Sequence, residues 1–166
     1  RVLTAFAFRE PDRVPSWLGA STEFIDSAIR KLGLQTEEDL RRLLGDDFRR
    51  VTAPYRYQKH ENEDHTPFGI PRAGIGYGMA MDDPLRDAGA DEIENYRWPD
   101  PDNVDISEYR NQASEHFKDY AILGGDWSPF WHDLAELLGM ENLFIKMYTE
   151  PDLVDLVLNR IMDYYT

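Results

Sequence analysis

The stretch Leu123-Gly124-Gly125-Asp126-Trp127-Ser128-Pro129 constrains the fold more than any other part of the chain. An apolar run over residues 120–123 ends in a glycine pair, and an aromatic turn follows. A helical pattern then starts after Pro129 and runs to Leu138. A buried strand that ends in glycine and leads directly into a helix is the βα step of an α/β sheet. Glycine allows close approach of backbone to a ligand, and proline suits the first turn of a helix. The segment therefore predicts a strand whose C-terminal end carries a ligand site.

The remaining pattern agrees. Residues 1–8 read as the end of a short helix, and residues 14–18 as a short strand closing on Gly19. Ser21 or Thr22 caps a helix with Phe24, Ile25, Ala28, Ile29 and Leu32 at helical spacing, stopped by Gly33. Thr36, with Asp39 three residues on, starts another helix; Leu40, Leu43 and Leu44 form its expected buried face, and Gly45 ends it. Residues 48–53 read as a strand closed by Pro54. Residues 55–90, rich in Gly and Pro, read as a long ordered excursion with hairpin strands near 55–59 and 72–77. Helices are expected over 91–96 and 106–117, the latter capped by Ser107, and then over 130–138, 142–148 and 151–165. Short apolar strands alternating with helices predict a parallel sheet covered by helices. An open doubly wound sheet and part of a barrel both fit.

Composition removes several classes of function. The net charge of −14 opposes nucleic acid, whose binding rests on Lys and Arg neutralising phosphates, and opposes an anionic membrane surface. No apolar run approaches the ~20 residues that span a bilayer, and no basic-then-apolar leader is present. The expectation is a cytoplasmic protein. With no Cys, disulfides and thiolate metal sites are excluded from this segment. Gly74, Gly76 and Gly78 lack the strand-then-helix context and the following Lys-Ser/Thr of a phosphate loop.

Several residues are candidates for chemistry. Asp126, just past the glycine pair, is placed to accept a hydrogen bond from substrate, or else to cap the helix after Pro129. His132, one turn into that helix, suits acid–base work, or is an ordinary helix histidine. Trp17, Tyr55, Trp127, Phe130 and Trp131 are flat side chains expected near strand ends, either lining a pocket or packing the fold. Gly19 and Gly125 offer close backbone approach, and Arg56 and Arg72 are the loop cations near strand ends. His60 and His65, with Glu61, Glu63 and Asp64 between them, read as a solvated charged loop.

Four pieces of the chain, in order, resemble the uroporphyrinogen decarboxylase superfamily. They are Arg1-Val2-Leu3-Thr4-Ala5-Phe6 with Arg9-Glu10-Pro11-Asp12-Arg13-Val14-Pro15; Gly45-Asp46-Asp47-Phe48-Arg49-Arg50-Val51; Pro84-Leu85-Arg86-Asp87-Ala88 with Glu92-Ile93-Glu94 and Trp98-Pro99-Asp100-Pro101; and Gly124 onward through Gly139-Met140-Glu141-Asn142 to Tyr148-Thr149-Glu150-Pro151-Asp152-Leu153-Val154. The resemblance implies the N-terminal half of a (β/α)8 TIM-type barrel about twice this length, with a hairpin insertion. The lack of an initiating Met and a helical pattern running to Tyr165 fit that expectation. Chemistry in such barrels sits at the C-terminal ends of the strands. That places Trp17, Gly19, Tyr55, Arg56, Gly125 and Trp127 as substrate- or cofactor-binding residues, with Asp126 and His132 as catalytic ones.

The departures choose a branch. Tetrapyrrole decarboxylases carry an Arg-Gln-Ala-Gly-Arg motif after the first strand, whose arginines hold substrate carboxylates; Leu18-Gly19-Ala20-Ser21-Thr22 stands there. Their Ser-Asp-Ile after the second strand is Thr52-Ala53-Pro54, and their Tyr six residues past the proline of Gly-x-Pro-Trp-Thr is Ala135. The Gly-Met-Glu-Asn phrase and the Glu-Pro-Asp-Arg-Val-Pro start resemble the broad group nearest the sister branch, that of corrinoid-dependent methyltransferases and demethylase components. That branch implies a small-molecule or corrinoid substrate, a corrinoid protein as partner, and a zinc site in the C-terminal half. A homo-oligomer is compatible with it. The alternatives are a decarboxylase, which is a lyase, and a non-catalytic relative that binds a corrinoid or a partner.

Overall fold

The computed structural model describes residues 1–58, 61, 65–74, 78–125 and 129–166. Its elements are helices α1 (Val2–Phe6), α2 (Thr22–Leu32) and α3 (Glu37–Leu44), strands β1 (Phe48–Arg50), β2 (Arg72–Ala73) and β3 (Met79–Ala80), helices α4 (Ala90–Glu94) and α5 (Ile106–His116), strand β4 (Ala121–Leu123), and helices α6 (Pro129–Leu138), α7 (Met140–Thr149) and α8 (Pro151–Tyr165). The protein is a mixed α/β chain, mostly helical. Both sheets have two strands, and no barrel closes among the described residues. The chain divides into two compact units. One comprises Arg1–Ala53 and Ile106–Gly125; the other comprises Pro54–Gly74, Gly78–Asp105 and residues 129–166.

In the first unit, local chemistry sets the helix ends. Ser21 Oγ accepts from the Phe24 amide, and α2 stops at Gly33 with φ 66°. Thr36 and Asp39 form a reciprocal capping box, and α3 stops at Gly45 with φ 69°; glycine takes that left-handed conformation without Cβ strain. Strands β1 and β4 pair in parallel, Phe48 with Ala121, Arg49 with Ile122 and Arg50 with Leu123. The ladder continues at each end, from Ala121 N to Asp47 O and from Val51 N to Leu123 O, both 2.9 Å.

Residues 14–18, predicted as a third strand, form none. The Asp47 amide donates to Ser16 O at 2.9 Å, which would begin a parallel ladder. The Ser16 and Leu18 amides, however, donate to the Asp47 and Asp46 carboxylates. Side chains thus take the donors that a ladder needs, and Pro15 has none to give. The predicted buried face of α3 is also narrower than expected. Leu40 is buried, but Leu43 and Leu44 are 61% and 51% exposed. Ser107 lies inside α5 rather than capping it.

Charges hold this unit together as much as apolar packing does. Its buried apolar side chains are Val2, Ile25, Leu40 and Val51, beside a buried Asp46 and a buried Arg49. Asp46 accepts from Arg41 Nη1 at 2.6 Å and from the Phe48 amide at 2.9 Å. Arg13 bridges Asp47, the Gly45 carbonyl and Ser16 Oγ. Arg1 pairs with both Asp12 and Asp47. The Arg-Glu-Pro-Asp-Arg and Gly-Asp-Asp-Phe phrases are therefore two halves of one ion-pair network.

The second unit has the main apolar core. Leu134, Leu137 and Leu138 of α6, Leu143 of α7, and Val154, Val157 and Ile161 of α8 enclose Phe68, Ile70, Leu85 and Ile93. Here too the recognisable phrases meet. The Leu85 amide donates to Leu137 O at 2.8 Å. Asn142 Nδ2 donates to Arg86 O at 2.7 Å and Leu138 O at 3.1 Å. Gly139 has φ 73°, and a Cβ there would lie 2.6 Å from Asp83 Oδ2. The hairpin in the excursion exists, but it pairs β2 with β3, Arg72 opposite Ala80. Tyr55 instead forms an isolated antiparallel bridge with Val104.

Candidate functional site

The C-terminal ends of β1 and β4 carry the best-defined polar arrangement in a place suited to a ligand. Side chains alternate across a strand. Arg49 therefore turns to one face, where its Nε and Nη2 bind the two oxygens of Glu38 on α3 at 2.7 and 2.9 Å. Its guanidinium lies 3.6 Å over the Tyr120 ring. Arg50 turns to the opposite face, and its Nη2 donates to the Gly125 carbonyl at 2.8 Å. That face, with Phe48, Ala121 and Leu123, is only half-buried. The Thr52 amide is held by Gln112 Oε1 of α5 at 3.2 Å.

The glycine pair divides its work. Gly125 has φ 80°, and a Cβ there would meet nothing within 4 Å. The position is open and suits only glycine. Gly124 is covered: a Cβ would fall 2.0 Å from Tyr109 Oη. A phenol thus lies against the strand end, close to the carbonyl that Arg50 holds. A cation, a phenol and exposed backbone can orient a polar or anionic ligand group.

The predicted site residues fall in several places. Asp126 and Trp127 lie outside the described residues, as do His60, Glu63 and Asp64. Trp17, in the first unit, is 42% exposed, and its ring stands 3.0 Å from where a Gly19 Cβ would be. Gly19 is thus needed for packing of the indole. Tyr55 packs edge-on against Tyr57 and Tyr164, with ring centroids 5.0 and 6.3 Å apart. Arg56 pairs with Asp105, across the Tyr55–Val104 bridge rather than at a parallel strand end. Arg72 Nη2 donates to both carboxylate oxygens of Glu136. His132 is exposed on α6.

Within the second unit the described aromatic candidates have separate partners. Trp131 packs on Phe144 at 5.9 Å, while Phe130 packs on Tyr165 at 5.6 Å. Within the second unit, Tyr55 and Phe130 are linked through Tyr164 and Tyr165, whose rings lie 5.0 Å apart. The two tyrosines at the end of α8 meet edge-to-face and pack against the core.

Sequence reasoning missed four residues. Arg50 was hidden inside a strand, although two successive strand arginines must face opposite sides. Tyr109 carries no motif. Asp133 is a buried carboxylate on α6, and Tyr165 Oη donates to it at 2.9 Å. Neither showed, because the partner lies 32 positions away.

No group of three or more metal-binding side chains converges among the described residues. No helix among the described residues is long and apolar enough to cross a membrane. No family model, no curated protein and no solved structure matches the chain.

Proposed function

We propose that this chain is the N-terminal portion of a (β/α)8 barrel enzyme resembling the uroporphyrinogen decarboxylase superfamily, with corrinoid-linked methyl transfer as its chemistry. The observation that carries the proposal is the parallel β1–β4 pair, which ends in an arginine clasp on Gly125 beside a tyrosine-covered Gly124. Parallel strands need helical cover, and ligands collect at their C-terminal ends. The half-buried face of Phe48, Arg50, Ala121 and Leu123 fits a barrel interior better than a free surface. The contacts that join the recognisable phrases in pairs favour their common origin in one fold.

The role assigned to this half is to bind and orient. Arg50 holds the strand end and offers positive charge to an anionic substrate group. Tyr109 fixes the height of the Gly124 backbone.

The test is retention of methylcobalamin on a desalting column, with uroporphyrinogen as the competing ligand. Retention of methylcobalamin that falls with Arg50→Gln supports the proposal. Preference for uroporphyrinogen favours the decarboxylase reading, and retention of neither removes the enzyme assignment from this segment.

A further inference from the structure

A cleft of about 350 Å³ opens beside β1, lined by residues of α3, of both faces of β1 and of the last turn of α5. Its walls carry Arg41, Arg49 and Arg50 against Glu37 and Glu38. The lining thus has one positive charge in excess, in a chain whose net charge is −14. The two glutamates are already engaged. Glu37 Oε1 accepts from Arg41, and both oxygens of Glu38 accept from Arg49, with Arg42 adding a third contact. Arg49 is held in place, its Nη1 donating to the Asp46 and Phe48 carbonyls and its Nε and Nη2 to Glu38. It forms a fixed cationic floor.

Two other lining groups face the cleft differently. His116, in the last turn of α5, is half-buried and packs edge-on against Tyr120 at 6.2 Å. Among the described residues no protein group hydrogen-bonds its ring. Thr52 is exposed just past β1, with its backbone amide already placed by Gln112. An imidazole and a hydroxyl thus line the same cleft as three guanidinium groups, of which those of Arg41 and Arg49 are held by ion pairs. The volume lies within the range of small-molecule pockets and exceeds what a bare oxyanion fills.

We infer that this cleft binds a phosphate monoester, its phosphate taken by His116 and Thr52 over the arginine floor and its carbon body filling the remainder. A tetrahedral dianion can accept from donors on several sides at once, and charge-assisted bonds of this type are the strong ones. The site does not depend on the proposed methyl transfer.

The experiment follows the ¹H–¹³C resonances of the His116 ring at pH 7 while inorganic phosphate, and separately glycerol 3-phosphate, is added at constant ionic strength. A saturable shift is expected for both, tighter for the ester. Thr52→Val should weaken binding, and His116→Gln, read by calorimetry, should weaken it about tenfold, the worth of one charge-assisted hydrogen bond. Equal affinity for the two ligands would overturn the monoester assignment. The site itself is refuted if the His116 resonances shift no more than in chloride, or if His116→Gln binds phosphate as well as wild type does.

Discussion

Replacing Glu38 by Gln tests whether paired charge rather than apolar packing holds the first unit together. Glu38 neutralises Arg49, whose side chain is 4% exposed, and also meets Arg42 Nε at 2.7 Å. The glutamine amide keeps one acceptor but turns its NH2 toward a guanidinium nitrogen. A hydrogen bond to a charged group contributes ~1.5–3 kcal/mol, and stranding a fully buried charge costs ~3–5 kcal/mol. Arg49 retains the Asp46 and Phe48 carbonyls and the Tyr120 ring, so the lower figure applies. The hydrogen bond from Arg49, aided by Arg42, holds the Glu38 carboxyl at about 2 instead of 4.5. At ~1.36 kcal/mol per pH unit that sets a ceiling near 3 kcal/mol. Screening of a part-exposed pair reduces it to about 2 kcal/mol. Because the folded value is depressed, the stabilisation is complete above pH 4.5 and is lost as pH falls toward 2. Urea unfolding at pH 7, 5, 3 and 2 should show a gap of about 2 kcal/mol between wild type and Glu38→Gln at pH 7, closing by pH 2. The carboxyls of Asp12, Asp39 and Asp47 are also lowered, but they are common to both proteins and cancel in the difference. A gap below ~0.5 kcal/mol at pH 7, or one that persists unchanged to pH 2, refutes the reasoning.

Three further substitutions have defined outcomes. Gly139→Ala forces a residue with Cβ to φ 73° against the Asp83 carboxylate and should cost about 2–4 kcal/mol in urea unfolding. Gly124→Ala must displace the Tyr109 phenol; the near-ultraviolet tyrosine signal and the Arg50–Gly125 contact should change while far-ultraviolet signal is kept. Tyr165→Phe removes the donor to the buried Asp133 carboxylate and should cost about 1–3 kcal/mol, measured by the same denaturation.

Much of the fold was legible where its causes are local. Ser21, Gly33, Thr36 with Asp39, and Gly45 fix the ends of α2 and α3 through contacts within a few residues. Strand β4 was recognisable as an apolar run ending in Gly, and β1 as the start of a run that holds Val51 and closes on Pro54. Residues 14–18 failed because a strand is defined by its neighbour, and here aspartate side chains occupy the amides. Leu43 and Leu44 failed because helical spacing indicates which residues share a face, not how wide the cover is. The site was legible in location only. The glycine pair marked the strand end, but Arg50 and Tyr109 acquire their roles from contacts 75 and 15 positions away. Of the described aromatic residues suggested as ligand-lining, Tyr55 and Phe130 pack edge-on against the α8 tyrosines, and Trp131 packs on Phe144.

The most direct test of the central claim is a map of backbone amide shifts on addition of methylcobalamin to the ¹⁵N-labelled chain. The account predicts saturable changes centred on Arg50, Val51, Thr52, Gly124 and Gly125, abolished by Arg50→Gln. Saturable changes confined to α6–α8, or none at all, would contradict a ligand site at the ends of the parallel strands.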